Sequence, residues 1–174
     1  ARLGELGVAL KVPKDERELS NREAERFLEE ARMLARVQHG SVVEVLDSGR
    51  LPDGRPYLAM RRYEGETLAE HLAREGALTL ERALALFAEL ADATAALHQA
   101  GLLHRDIKPE NVFLIDAGRG VKLLDFGIAK ERDAPASTTT QAGIARGTPA
   151  TMAPERFFGA AATELTDVYE LAVV

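Results

Sequence analysis

From Thr67 to about Gln99 the chain is rich in alanine and leucine at helical spacing, and Thr67-Leu68-Ala69-Glu70 opens that stretch as a capping box. A helical half therefore begins just past Glu64-Gly65, and what precedes it has a different character. Val8-Ala9-Leu10-Lys11-Val12 reads as a short apolar strand ended by Pro13 and the charged 14–19 stretch. Ser20 with Glu23 is another capping box, after which Phe27, Leu28, Ala31, Leu34 and Ala35 recur at helical spacing until Gly40. Val42 to Leu46 and Tyr57 to Met60 read as two strands joined through Pro52-Asp53-Gly54, whose proline and glycine suit a turn.

Beyond the helical stretch, strands are predicted at Val112–Ile115 and Val121–Leu124 around Asp116-Ala117-Gly118-Arg119-Gly120. Residues 131–146 carry Pro, Ser, Thr, Gly and charge without a period, and read as a loop. A last apolar helical pattern starts near Thr166 and runs into Leu171-Ala172-Val173-Val174 with neither a capping glycine nor a polar final turn, so the chain is expected to be cut inside a helix.

Composition removes several classes of function. The 22 Lys and Arg against 28 Asp and Glu leave a net charge of −6, which argues against a generally basic surface for nucleic acid. Hydrophobic residues at 46% and charged residues at 29% suit a packed domain. With no cysteine there is no disulfide framework, thiolate zinc site or cysteine nucleophile, so any metal must be held by oxygen or imidazole. His39, His71 and His98 lack metal-ligand spacing and read as ordinary surface or core residues. No apolar run approaches the ~20 residues of a membrane helix, and no signal-peptide pattern is present.

The strongest chemical signal is His104-Arg105-Asp106-Ile107-Lys108-Pro109-Glu110-Asn111, followed by Asp125-Phe126-Gly127 across the predicted hairpin. Phosphoryl transfer from a nucleotide needs a carboxylate to orient the attacking hydroxyl and oxygen ligands to hold Mg²⁺ on the phosphates. Asp106 and Asn111 stand five apart in a stretch that Pro109 keeps from being a regular helix, so loop geometry can turn both toward one cleft, with Asp125 entering from the neighbouring turn.

These residues resemble the catalytic domain of eukaryotic-like Ser/Thr protein kinases, especially the bacterial ones. Val8-Ala9-Leu10-Lys11 resembles the strand lysine motif, His104–Asn111 the catalytic loop, Asp125-Phe126-Gly127 the metal motif and Ala153-Pro154-Glu155 the end of the activation segment. Asp167-Val168-Tyr169 is similar to the start of the family's long buried helix. The resemblance implies an α+β, two-lobed fold: a small antiparallel sheet with one helix above a mainly helical lobe, and ATP between them. Residues 1–63 would be the portion of the small lobe and 64–174 the portion of the large one.

By the same resemblance, Lys11 binds the α- and β-phosphates and pairs with a helix glutamate. Glu30 is chosen over Glu29 because it shares the face of Phe27 and Leu34. Asp106 accepts or orients the hydroxyl proton, Lys108 steadies the transferring phosphate, and Asn111 with Asp125 holds Mg²⁺. General-base help is worth roughly 10²–10⁴-fold and alignment of reactants about 7–11 kcal/mol, so positioning and charge neutralisation are expected to outweigh the basicity of Asp106. His104 is given a structural role beneath Asp125-Phe126. Ala9 and Phe113 would enclose adenine, Met60 would guard the back pocket, and Tyr63 would supply the backbone hinge contact.

Lys108 resembles the Ser/Thr-specific branch, which implies a protein substrate with a Ser or Thr acceptor. Arg105 implies control by activation-loop phosphorylation, with Ser137, Thr138, Thr139 and Thr140 as candidate acceptors of autophosphorylation. Thr148 would contact the catalytic loop, and Glu155 would pair with an arginine further on. The expected partners include no nucleic acid and no membrane within this segment, and the catalytic part would be cytoplasmic with any tether outside it.

The chain departs from the family pattern in several places. The glycine-rich loop expected before Lys11 is absent, as are the helices that follow the long buried one. Gly40 replaces a frequent proline, Arg61 stands where an acidic residue is common, and Ala150-Thr151 where glycine and an aromatic are common. A pseudokinase or nucleotide-binding scaffold is one alternative. A small-molecule phosphotransferase of related fold, which also uses an aspartate and an asparagine five apart, is another; Lys108 and Ala153-Pro154-Glu155 favour a protein substrate.

Overall fold

Two small antiparallel sheets divide the chain between them, and the helices are apportioned unequally to the two. In this computed structural model the structure describes residues 2–3, 6–13, 20–115, 118, 120–126 and 151–174. The first sheet holds β1 (Arg2–Leu3), β2 (Leu6–Lys11), β3 (Val45–Arg50) and β4 (Pro56–Arg61) in the order β1-β2-β4-β3. Helix α1 (Asn21–Leu34) packs on β3 and β4. The second sheet is β5 (Gly65–Thr67), β6 (Val112–Ile115) and β7 (Gly120–Leu123), accompanied by α2 (Leu68–Glu75), α3 (Leu80–Gln99), α4 (Pro154–Phe157) and α5 (Glu164–Val173). This is the segregated α+β arrangement expected.

Local chemistry accounts for where the helices begin. Ser20 Oγ accepts the Glu23 N–H at 3.3 Å while Glu23 Oε2 accepts the Ser20 N–H at 2.6 Å, and Ala24, Phe27, Leu28, Ala31 and Leu34 of α1 are buried. The helix stops at Leu34 and not at Gly40, because Arg36 N–H turns to Met33 O and Val37 N–H to Leu34 O, tightening the last turn. The Thr67–Glu70 box is also present. The helical stretch behind it is two helices and not one: Gly76, with φ +81°, closes α2, and Thr79 Oγ1 accepts the Arg82 N–H to start α3. Leu86, Leu90, Ala93 and Leu97 form the buried stripe of α3.

The segment before β3 joins the two sheets. Val43 N–H donates to Leu123 O at 3.2 Å and Leu123 N–H to Ser41 O at 2.8 Å, so Val42 and Leu123 make a parallel bridge. Val42 and Val43 are therefore committed to β7, and β3 begins only at Val45 and extends to Arg50. Phe27, Leu34 and Leu58 from above meet Leu90, Leu97, Ile107, Val112 and Leu123 from below in one continuous hydrophobic cluster.

Gly65 lies where the chain passes between the sheets, with φ +149°, and a Cβ there would stand 1.9 Å from Leu114 O across the β5–β6 ladder. Only glycine fits without displacing β5. Gly65→Ala is expected to destabilise the protein by about 2–3 kcal/mol, read as a lower urea midpoint at unchanged slope.

Candidate active site

The loop of residues 104–108 has no regular secondary structure, so the partners of its backbone donors decide its shape. Helix α5 supplies most of them. Asp167, 0% exposed, accepts the His104 N–H at 2.9 Å on Oδ2 and the Arg105 N–H at 2.7 Å on Oδ1. His98 Nε2 also donates to Oδ2, at 2.8 Å. Glu170 Oε2 accepts the Ile107 N–H at 2.9 Å, and the Asp106 N–H donates to His104 Nδ1 at 3.3 Å. Arg105 sits at φ +66°, a left-handed conformation costing on the order of 1–2 kcal/mol, which its bond to a charged acceptor helps to offset.

His104 is fully buried, and desolvation holds its imidazole below the usual histidine range. Its two bonds fix one tautomer: Nδ1 accepts from Asp106, so Nε2 carries the hydrogen and donates to Leu124 O at 2.8 Å. The ring lies 4.9 Å from that of Phe126, centroid to centroid, the structural position expected for it.

Asp106 stands at the centre of this frame. Asn111, on a 3₁₀ turn opened by Pro109, donates through Nδ2 to Asp106 O at 2.7 Å and to Asp106 Oδ2 at 2.8 Å. Lys108 Nζ lies 3.1 Å from the same Oδ2. Lys11, at the end of β2, donates to Phe126 O at 3.1 Å and lies 3.2 Å from Asp125 Oδ1. A bond of 2.8 Å from Leu124 N–H to Asn111 O ties the two clusters together through the backbone.

The donor set suits a hard divalent cation. With Nδ2 of Asn111 donating twice, its Oδ1 is the atom left to ligate, and the Asp125 carboxylate is 57% exposed, unlike Asp106 at 14%. Among the described residues no three His, Asp or Glu gather into a metal cage, so a cation on Asn111 and Asp125 needs further oxygens from phosphate or water.

The expected Lys11–Glu30 pair is not made in this structure. Glu30 Oε1 instead accepts from Arg105 Nη1 at 3.1 Å. The physical reason is competition for cations: Asp125 and the Phe126 carbonyl take up the Lys11 ammonium, and the Arg105 guanidinium reaches Glu30 on α1. Ala9 and Met60 face each other in the β2–β4 register, with Met60 buried, and Phe113 lies on β6 beside Gly65. Tyr63 has a side-chain role that its hinge assignment missed: its hydroxyl accepts the Glu44 N–H at 3.4 Å, and the Lys122 ammonium lies 4.8 Å from its ring centroid. Lys122 also donates to Gly40 O.

Glu155 accepts from the Thr166 hydroxyl at 2.8 Å, and hydrogen bonds hold its carboxyl below the usual range, first that of its own backbone and then that of Thr166. Gly127, Ser137, Thr138, Thr139, Thr140 and Thr148 lie outside the described residues.

The protein kinase domain family matches residues 3–174 of the chain. The chain belongs to the protein kinase family. It is 42% identical over 171 residues to serine/threonine-protein kinase pkn2 of Myxococcus xanthus, covering 96% of this chain and 20% of that protein. It is 41% identical to serine/threonine-protein kinase PknA of Mycobacterium tuberculosis, covering 96% of this chain and 39% of that one. The crystal structure of the Mycobacterium tuberculosis PknI kinase domain superposes with a TM-score of 0.73 at 32% identity, covering 95% of this chain and 60% of that one. The chain thus spans well under half the length of pkn2 and of PknA. Among its described residues no helix is long and apolar enough to cross a membrane.

Asp167, Glu170 and His98 support the loop of residues 104–108, and sequence reasoning gave them no such part. The available signal for the two acids was the three-residue repeat Glu164, Asp167, Glu170 along α5, whereas His98 on α3 carried none. Burial above all, with the Asp167 and Asp106 charges, pushes Glu170 from 4.5 up to about 7, against the Ile107 bond and Arg156. A raised carboxyl pKa means the folded kinase binds a proton that the unfolded chain releases. Stability is therefore unaffected below about pH 4.5, falls by up to about 3 kcal/mol as pH rises to about 7, and stays lower above it. Urea unfolding at pH 5 and pH 7.5 should show this decline in the native chain and a flatter response in Glu170→Gln.

Proposed function

We propose that the protein carrying this chain transfers the γ-phosphoryl group of ATP to Ser or Thr hydroxyls of protein substrates. The observation that carries this reading is the Asp106 carboxylate, held by Lys108 at 3.1 Å and Asn111 at 2.8 Å in a loop whose His104, Arg105 and Ile107 N–H groups are accepted by α5. The kinase names of its bacterial relatives and their catalytic-loop chemistry support the same reading.

Asp106 orients the acceptor hydroxyl and receives its proton as the oxygen bonds to the γ-phosphorus and the bond to the bridging oxygen breaks. Lys108, already beside Asp106, balances charge on the phosphoryl group in transit. Lys11 meets the α- and β-phosphates. Asn111 and Asp125 would hold Mg²⁺, which when bound would neutralise phosphate charge. Ala9, Met60, Tyr63 and Phe113 form the adenine site, Tyr63 through its backbone.

Glu30 enters the catalytic set by exchange, leaving Arg105 for Lys11. Phosphorylation at Ser137, Thr138, Thr139 or Thr140 favours that exchange, because a phosphate competes with the Glu30 carboxylate for the Arg105 guanidinium. Residues 1–63 act as the portion of the small lobe and 64–174 as that of the large lobe, with the catalytic part in the cytoplasm.

In the full-length protein, Asp106→Asn is expected to lower kcat by roughly 10²–10⁴-fold while ATP still binds. Asp125→Ala should abolish the Mg²⁺ dependence of nucleotide binding measured by calorimetry. Labelled phosphate recovered on a small alcohol or amine and not on Ser or Thr would refute the assignment, as would wild-type turnover in either variant.

A further inference from the structure

Resting on that reading, we infer that Glu170 is a positioning residue for phosphoryl transfer, acting as the acceptor that fixes the peptide plane between Asp106 and Ile107. That plane carries the Asp106 carbonyl on one side and the Ile107 N–H on the other. Asn111 Nδ2 donates to the carbonyl at 2.7 Å and Glu170 Oε2 accepts the N–H at 2.9 Å, so both of its polar ends are bound. Rotation about the Asp106 Cα–C bond would break both, and the direction of the Asp106 side chain is thereby tied to α5.

The Ile107 N–H has little alternative. Ile107 is 1% exposed and Glu170 5%, so this donor is removed from solvent. Asp167, one turn earlier, already accepts from His104, Arg105 and His98. If Glu170 is replaced by an apolar side chain, the peptide must stay unsatisfied or turn toward another acceptor, carrying Asp106 with it.

The role belongs to the acceptor oxygen and not to the charge. Asp167 on the same helix and Asp106 across the loop oppose a negative charge at this position, while Arg156 of α4 favours it. With its pKa pushed up to about 7, Glu170 is present in both forms in neutral solution, and either form presents an oxygen to Ile107. Glutamine reproduces that oxygen, whereas methionine, similar in length, does not.

The test compares Glu170→Gln and Glu170→Met in the full-length protein, with ATP and casein as substrates. Glu170→Gln should keep kcat within about threefold of wild type, and Glu170→Met should lose about tenfold or more in kcat with both KM values little changed. Hydrogen exchange at the Ile107 amide, which needs no turnover, should be as slow in Glu170→Gln as in wild type. It should be about tenfold faster in Glu170→Met. A Met variant with full kcat, a Gln variant as impaired as Met, or Ile107 exchange in Gln as fast as that of an unprotected amide would each overturn the inference. If Met fails to fold, the Gln kinetics and exchange decide it. If the wild type phosphorylates neither casein nor itself, the kinase reading fails, and Ile107 exchange alone decides whether Glu170 holds the loop.

Discussion

A fully buried carboxylate, that of Asp167, organises the loop of residues 104–108. An isolated charge in that position would be costly, and it is tolerated because three donors converge on it: two successive backbone N–H groups and the imidazole of His98. The loop needs the acceptor as much as the acceptor needs the loop, since residues 104 and 105 have no ladder to join. This mutual requirement allows Arg105 to hold a left-handed backbone and sets the direction in which Asp106 leaves it.

The frame extends upward through His104. Its ring receives the Asp106 N–H, donates to Leu124 O and packs against Phe126, whose own carbonyl accepts from Lys11. A continuous sequence of contacts therefore runs from α5 through residues 104–106 and the segment after β7 to Lys11. Each link is a hydrogen bond or a ring contact, and Asp125 stays open toward solvent beside Lys11.

Elements whose cause is local were legible in the amino-acid order. The two capping boxes need only residues three apart, and the hairpins at Gly54 and around Gly118 need only turn chemistry. Elements set by distant partners were not. Val42 and Val43 have the same apolar pattern whether they pair with β4 or β7, and Leu123 decides between these. Gly76 inside a helical period does not by itself announce a break; its positive φ and the Thr79 cap do. The motif residues around Asp106 were readable because their order along the chain is distinctive. The partner of Glu30 was not, since Lys11 and Arg105 both offer a cation and their own surroundings settle which is available. Asp167 and Glu170 escaped because acids are usually solvated, and only the fold buries these.

The Val42–Leu123 bridge, with the Gly65 passage, gives the two sheets a shared spine of main-chain bonds. Parting the two sheets would break the bonds that Ser41, Val43 and Leu123 share, and all three residues are buried. Water therefore reaches this seam only when the hydrophobic cluster around it opens as well.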